Sequence, residues 1–162
     1  MPIERVGHVG IKMRDLEGAK RFYRDILGMK IIGEIKGFAV FFGFQEYPTD
    51  IAVVKVGDDA ESPYKNQVGL SHIALLTDSF ATVKAMYQQL KAHNVTILRA
   101  VDHGLSKSVY CLDPEGNEFE IYCQVPKVDW RALVKKVKEA KTLEEMMHLV
   151  EVPIDLEAMS AD

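Results

Sequence analysis

The sequence predicts an α+β fold: two βαβββ modules forming one curved, eight-stranded mixed sheet, followed by a C-terminal helical tail. Three observations carry this expectation. The first is an internal repeat. Shifting the chain by 64 residues places His8 on His72, Ile11 on Leu75, Asp15 on Ser79, Tyr23 on Tyr87 and Ile26 on Leu90. The second is periodicity, because each half runs from a short apolar strand, through a polar cap and an amphipathic helix, to three further strand-like runs. The third is a change of character beyond Tyr122, where Val125-Pro126 breaks the strand pattern and lysine-rich helical sequence follows.

In the first half a strand is expected over Arg5 to Met13. Asp15 is placed as an N-cap, and Leu16, Ala19, Phe22, Tyr23 and Ile26 make an apolar helical stripe closed by Gly28. Strands then follow over Met29 to Ile35, Phe38 to Phe44 and Ile51 to Val56, separated by Gly37 and by Pro48-Thr49-Asp50. The second half reads alike. A strand over Gly69 to Leu76 leads through Ser79 into a helix over Phe80 to Ala92. Strands come next at Val95 to Leu98, Lys107 to Leu112 and Asn117 to Cys123, with a tight turn at Asp113-Pro114-Glu115-Gly116. The polar stretch Gly57 to Asn66 reads as a linker inside one domain. Modules at about 5–56 and 67–125 thus make a domain over 1–125, and 126–162 is a helical extension with helices over Trp130 to Ala140 and Leu143 to Val150. In the extension Leu133, Val134 and Val137 are expected to pack, while Lys135, Lys136 and Lys138 stay in water.

Composition narrows the function classes. With 162 residues, 48% of them apolar, the chain can bury a core without disulfides or structural metal. A formal charge of −4 and the lack of any basic run interleaved with aromatics point away from nucleic acid and anionic lipid. No 18-residue apolar stretch occurs, and the start of the chain carries no apolar leader, so a soluble, cytoplasmic protein is expected. Cys111 and Cys123 sit in apolar strand runs without metal-ligand spacing, which makes them buried thiols.

Strand alternation assembles a candidate metal site. In the last strand of the second module Phe119 and Ile121 point one way, and Glu118, Glu120 and Tyr122 the other. The apolar face must meet the helices, so His8, His72 and Glu120 collect on the opposite, concave face. A lone strand histidine is ordinarily a satisfied core or rim residue. Two at equivalent positions of a duplicated unit, with a carboxylate, form the donor set a transition metal takes. Two histidines and one carboxylate also leave coordination positions open, which suits Fe(II) or Mn(II).

At these residues the sequence resembles the vicinal oxygen chelate superfamily of glyoxalases, extradiol ring-cleaving dioxygenases and fosfomycin-resistance proteins. The resemblance covers roughly residues 5–125. It is carried by His8-Val-Gly-Ile, by Phe22-Tyr23-Arg-Asp-Ile-Leu-Gly28-Met, by Gly69-Leu-Ser-His72-Ile-Ala-Leu and by Asp113-Pro-Glu-Gly-Asn117-Glu-Phe-Glu120. It implies one divalent ion held by His8, His72 and Glu120, with Fe(II) favoured, Mn(II) next, and Ni or Zn as further options. Glyoxalase I and methylmalonyl-CoA epimerase are expected to add a Glu or Gln from the fourth strand, and Ile51-Ala-Val-Val-Lys-Val56 has neither.

Asp102-His103-Gly-Leu-Ser-Lys-Ser-Val-Tyr110 is similar to the extradiol dioxygenase pattern, which implies that His103 and Tyr110 flank the substrate as catalytic residues. Outside the family, Tyr110 would read as a core strand aromatic and His103 as an ordinary loop histidine. Asp50-Ile-Ala-Val and the tail, in its Trp130 and its Val152-Pro-Ile-Asp-Leu-Glu-Ala158, also resemble that branch. Thr49 departs from it, standing where many members carry a histidine that assists dioxygen chemistry. His93 and His148 match nothing and read as surface residues.

The expected function is therefore extradiol cleavage of a catechol-like small molecule. The alternatives are a non-oxidative metalloenzyme (glyoxalase or lyase, epimerase, or thiol transferase of the fosfomycin-resistance kind) and a non-catalytic small-molecule binder. A homodimer is expected, with the tail covering a sheet edge or forming the contact.

Overall fold

The structure, a computed structural model, describes residues 4–45, 49–64 and 67–158. The expected turn residue Pro48, the end of the linker at Asn66 and the first three residues lie outside the described residues. The chain divides into two compact units, Met1–Gln67 with Pro114–Gly116, and Val68–Asp113 with Asn117–Asp162.

In the first unit β1 (Val9–Met13) is followed by α1 (Leu16–Ala19), then by β2 (Lys30–Ile35), β3 (Ala39–Gly43) and β4 (Ile51–Lys55). The sheet order is β1-β4-β3-β2, with β1 parallel to β4 and the other pairs antiparallel. Asp15 caps α1 as expected, its carboxylate accepting from the Glu17 amide at 2.9 Å. The helix then differs from expectation. From Lys20 to Ile26 it is a π-helix, and the Leu27 amide donates to the Phe22 carbonyl five residues back. The wider turn brings residues four and five apart onto one face, so that Phe22, Ile26 and Leu27 are buried together with Tyr23. Gly28 ends it with φ +77°, the left-handed conformation expected of it.

The second unit repeats the plan with β5 (Ile73–Thr77), α2 (Phe80–Ala92), β6 (Ile97–Asp102), β7 (Ser106–Leu112) and β8 (Glu118–Gln124). Ser79 caps α2, its hydroxyl accepting from the Thr82 amide at 3.2 Å. The order β5-β8-β7-β6 mirrors the first sheet, again with a parallel pair at its start. Hydrogen bonding thus joins the strands of each module into a sheet of its own, of four and of five strands. The fifth strand of the second sheet is β9 (Val152–Pro153), which follows α3 (Trp130–Glu139) and α4 (Leu143–Val150). It lies antiparallel to β6, with Val101 opposite Pro153 and Asp102 opposite Val152. The tail therefore covers an edge of the second sheet, and a proline at that edge removes a donor that a further strand would need. Of the tail residues expected to pack, Leu133 and Val137 are half-buried, whereas Val134 is exposed.

The core of the second unit lies between the sheet and α2. Val83 and Leu90 of α2 are buried with Val109, Cys111, Phe119, Ile121 and Cys123. Both cysteines are free thiols, as expected, and burial pushes the Cys111 thiol up to about 12.

The first unit holds an ion pair that the sequence did not announce. Glu115 accepts from the Arg14 amide at 2.8 Å and from its Nε at 2.7 Å, and Arg14 also donates to Ser62 Oγ at 2.6 Å. Burial raises the Glu115 carboxyl, but the Arg14 hydrogen bonds outweigh it and hold the group below the usual carboxylate range. A carboxyl depressed in the folded state stabilises above its unfolded pKa, and that stability is lost as pH falls through the folded value. Glu115→Gln should lower the thermal midpoint at neutral pH, and the gap from wild type should close on acidification. A gap that stays constant down to strongly acidic pH would remove the ion pair as its cause.

Candidate functional site

Four neighbouring strands of the second unit present one row of side chains. Ala74 of β5 pairs with Glu120 of β8, Glu120 with Tyr110 of β7, and Tyr110 with Arg99 of β6. Because directly opposed residues share a face, Glu120, Tyr110 and Arg99 all project away from the face that α2 covers. A β-bulge between Ile97 and Arg99 decides the last of these. Ile97 pairs with the core residue Cys111, and the extra residue turns Arg99 onto the other side.

Glu120 is the centre of the cluster. Only 8% of it is exposed, and its Oε1 accepts from Ser108 Oγ at 2.6 Å. His72, one residue ahead of β5, brings Nε2 to 3.3 Å from Glu120 Oε2. Its other ring nitrogen lies 3.4 Å from Ser71 Oγ. His103 follows the end of β6, in a hairpin turned by Gly104 at φ +76°, and places Nε2 3.8 Å from Glu120 Oε1. The same Nε2 is 3.1 Å from the Tyr110 hydroxyl. The Tyr110 ring meets the His72 ring edge-on at 5.5 Å, and the Arg99 guanidinium stacks 3.8 Å from the Tyr110 centroid.

Tyr110 is buried, and its ring and hydroxyl meet His72, His103 and Arg99. Burial first, and then the Glu120 carboxylate, push its phenol well above the ordinary range, against a smaller opposing effect of Arg99. At neutral pH it keeps its proton and acts as a hydrogen-bond donor. A groove of about 680 Å³ in the same unit is lined by Leu105, Ser106, Tyr122, Val125 and Trp130 among others. Tyr122 is two residues from Glu120 on the same strand face.

Of the expected metal ligands, His72 and Glu120 come together in the second unit. His8 lies one residue ahead of β1 in the first unit and is exposed, the position in its module that His72 occupies in the other. Among the described residues no group of three or more His, Cys, Asp or Glu side chains forms a metal-holding cluster. The pair that does form has suitable donor chemistry: an imidazole Nε2 beside a carboxylate, one of whose oxygens is already fixed by Ser108. His93 and His148 are exposed, as expected. Ser108 and Arg99 were not anticipated. Ser108 was open to discovery, since it lies two residues before Tyr110 on the same strand face.

The Glyoxalase/Bleomycin resistance protein/Dioxygenase superfamily model matches residues 5–121. The chain belongs to this superfamily. Among relatives in the superfamily, catechol-2,3-dioxygenase of Bacillus subtilis is 24% identical over 134 residues, covering 78% of this chain but 44% of that protein. The chain thus spans less than half the length of that relative. Metallothiol transferase FosB of Staphylococcus saprophyticus is 29% identical over 124 residues, covering 74% of this chain and 77% of the transferase. Lactoylglutathione lyase from Agrobacterium tumefaciens has the same fold, with a TM-score of 0.58 at 23% identity, over 76% of this chain and 96% of that one. No helix among the described residues is long and apolar enough to cross a membrane.

Ser108 is fully buried, so Ser108→Ala should leave a buried carboxylate short of one donor. The expected cost is about 1–3 kcal/mol in chemical denaturation. Ser108→Thr, which retains the hydroxyl, should recover part of it. An unchanged denaturation midpoint in Ser108→Ala would show that water replaces the hydroxyl without loss.

Proposed function

We propose that this chain is a metal-dependent extradiol dioxygenase of a catechol-like substrate, with His8, His72 and Glu120 as ligands and His103 and Tyr110 as catalytic residues. The observation that carries the reading is the His103–Tyr110 pair, 3.1 Å apart and beside the Glu120 carboxylate. It supplies a proton acceptor and a phenol donor next to two of the three expected ligands.

A bound divalent ion, Fe(II) or Mn(II), would supply charge to chelate the vicinal oxygens of the substrate and an open position for dioxygen. The protein's own groups do the rest. His103 Nε2 takes a proton from a substrate hydroxyl, and Tyr110 donates its hydrogen bond to a substrate oxygen as negative charge develops there. Ser108 keeps the Glu120 carboxylate in one orientation, and Arg99 holds the Tyr110 ring by stacking on its face.

A second reading, a thiol transferase, is favoured by one specific observation. The similarity to FosB covers most of that protein, whereas the similarity to the dioxygenase covers less than half. Thr49, ahead of Asp50, also stands where the dioxygenase pattern calls for a histidine.

Metal content and turnover test the site, and oxygen uptake against thiol-dependent chemistry separates the two readings. His8→Ala, His72→Ala and Glu120→Ala should each lose metal while staying folded, and normal metal content in any of them removes that residue from the site. His103→Ala and Tyr110→Phe should retain metal and lose on the order of 10²-fold in turnover. Iron-loaded protein should consume O₂ with a catechol, and Thr49→His should raise the rate. Thiol-dependent consumption of an epoxide such as fosfomycin without O₂ uptake would replace the dioxygenase by the transferase.

The proposal includes a homodimer whose contact involves the exposed Trp130 of the tail. Light scattering at tens of micromolar should give twice the monomer mass, and Trp130→Ala should shift the mass toward the monomer. A strictly monomeric wild type would end the dimer proposal and leave the fold untouched.

A further inference from the structure

We infer that the C-terminal tail is a positioning arm for His103: the end of α4 holds the ring proton on Nδ1, so that Nε2 faces Tyr110 as a lone pair. What the lone pair then does rests on the dioxygenase reading above; the positioning itself does not.

The last carbonyls of a helix have no partner within it. The backbone leaves α4 at Glu151 (φ −138°, ψ 69°), and Pro153 prevents any continuation. The Glu151 amide returns to the Met147 carbonyl at 2.7 Å, which leaves the Val150 carbonyl free to accept elsewhere. It accepts from His103 Nδ1. A carbonyl oxygen can only accept, so Nδ1 must carry the proton, and the negative end of the helix dipole favours it there. A neutral imidazole with its proton on Nδ1 has its lone pair on Nε2. The Tyr110 hydroxyl lies 3.1 Å from that nitrogen.

The tail is anchored on both sides of this contact. Strand β9 pairs with the last two residues of β6, immediately before His103, and the Ile154 amide donates to the Ala100 carbonyl at 2.9 Å. Leu156 is buried. The Glu157 carboxylate accepts from the Tyr87 hydroxyl at 2.9 Å and pairs with Lys91, both on α2. On the other side Leu133 of α3 lies against Gly104, 3.3 Å from where a Cβ would stand. The hairpin that carries His103 is thus gripped by α3, by the end of α4 and by β9. In the proposed reaction a substrate hydroxyl proton passes to Nε2. The resulting imidazolium keeps its Nδ1–H on Val150, so the ring does not turn over between steps.

Long-range ¹H–¹⁵N correlation spectra of the full-length, metal-free protein, labelled with ¹⁵N-histidine, test this directly. His103 is assigned by its disappearance in His103→Gln, at a pH where the spectra show its ring neutral. Wild type should show the Nδ1–H tautomer. Ile154→Pro, which removes the amide donor to Ala100, and Leu156→Ala, which removes the buried anchor, should each move His103 to a mixture dominated by Nε2–H. The other histidine signals should stay in place. Conservative Leu156→Ile should retain the wild-type tautomer. An Nε2–H tautomer in wild type overturns the inference, as does Nδ1–H persisting in both tail variants. Should both variants fail to fold, the wild-type spectrum alone decides. The readout uses neither metal nor substrate, so an absence of O₂ uptake, which would end the dioxygenase reading, leaves it unaffected.

Discussion

The site in the second unit depends on the burial of one face of β8. Phe119, Ile121 and Cys123 are removed from water beneath α2, and a strand alternates its side chains with period two. Burying the Phe119 side chain alone stabilises by about 1.5–3 kcal/mol. Glu118, Glu120 and Tyr122 are then forced to the opposite face. A slip of one residue would drive the Glu120 carboxylate into the apolar layer, which is far more costly than any gain at the surface. The hydrophobic effect on one side thereby sets the position of the polar residues on the other. The parallel β5–β8 register, with Ala74 opposite Glu120, then delivers His72 from the chain just ahead of β5.

Charge and hydrogen bonding refine what the register places. Glu120 is almost fully buried: the Ser108 hydroxyl donates to it, and two imidazole nitrogens stand 3.3 and 3.8 Å from its oxygens. The same carboxylate and the same burial keep the Tyr110 phenol protonated, while Arg99 fixes its ring from behind. One buried group thus conditions both the arrangement of its neighbours and the protonation of the phenol. Arg99 in turn bridges to Glu118 at 2.9 Å, which ties β6 to β8 across the intervening strand.

The superfamily spreads different chemistries over one fold, and fold alone does not choose among them. Relatives named as a dioxygenase, a thiol transferase and a lyase all resemble this chain. Discrimination falls to residues around the expected ligands. Here these are the His103–Tyr110 pair, which the proposed ring cleavage would use, and Thr49, which departs from that pattern.

The elements were legible because each is locally encoded. Asp15 and Ser79 cap their helices as their side-chain chemistry requires, and α2, α3 and α4 lie within a residue of the spans their periodicity indicates. His8 and His72 stand at equivalent places because the repeat carries them there. Sequence by itself determined the two-module plan, the buried cysteines and the face on which Glu120 lies, since local period and capping settle these. It did not reveal the π-helical turn at Lys20–Ile26, the bulge that rotates Arg99, the Arg14–Glu115 pair or the strand at Val152–Pro153. The ion pair and the edge strand depend on partners far away in the chain, and the bulge on the register with the next strand. A one-residue bulge leaves local composition unchanged while inverting the alternation beyond it. The bond from His103 to the Val150 carbonyl spans 47 residues and involves a backbone group, which carries no residue-type signal at all. Only the tertiary structure, by bringing a helix end to a hairpin, decided which nitrogen of that histidine faces the site.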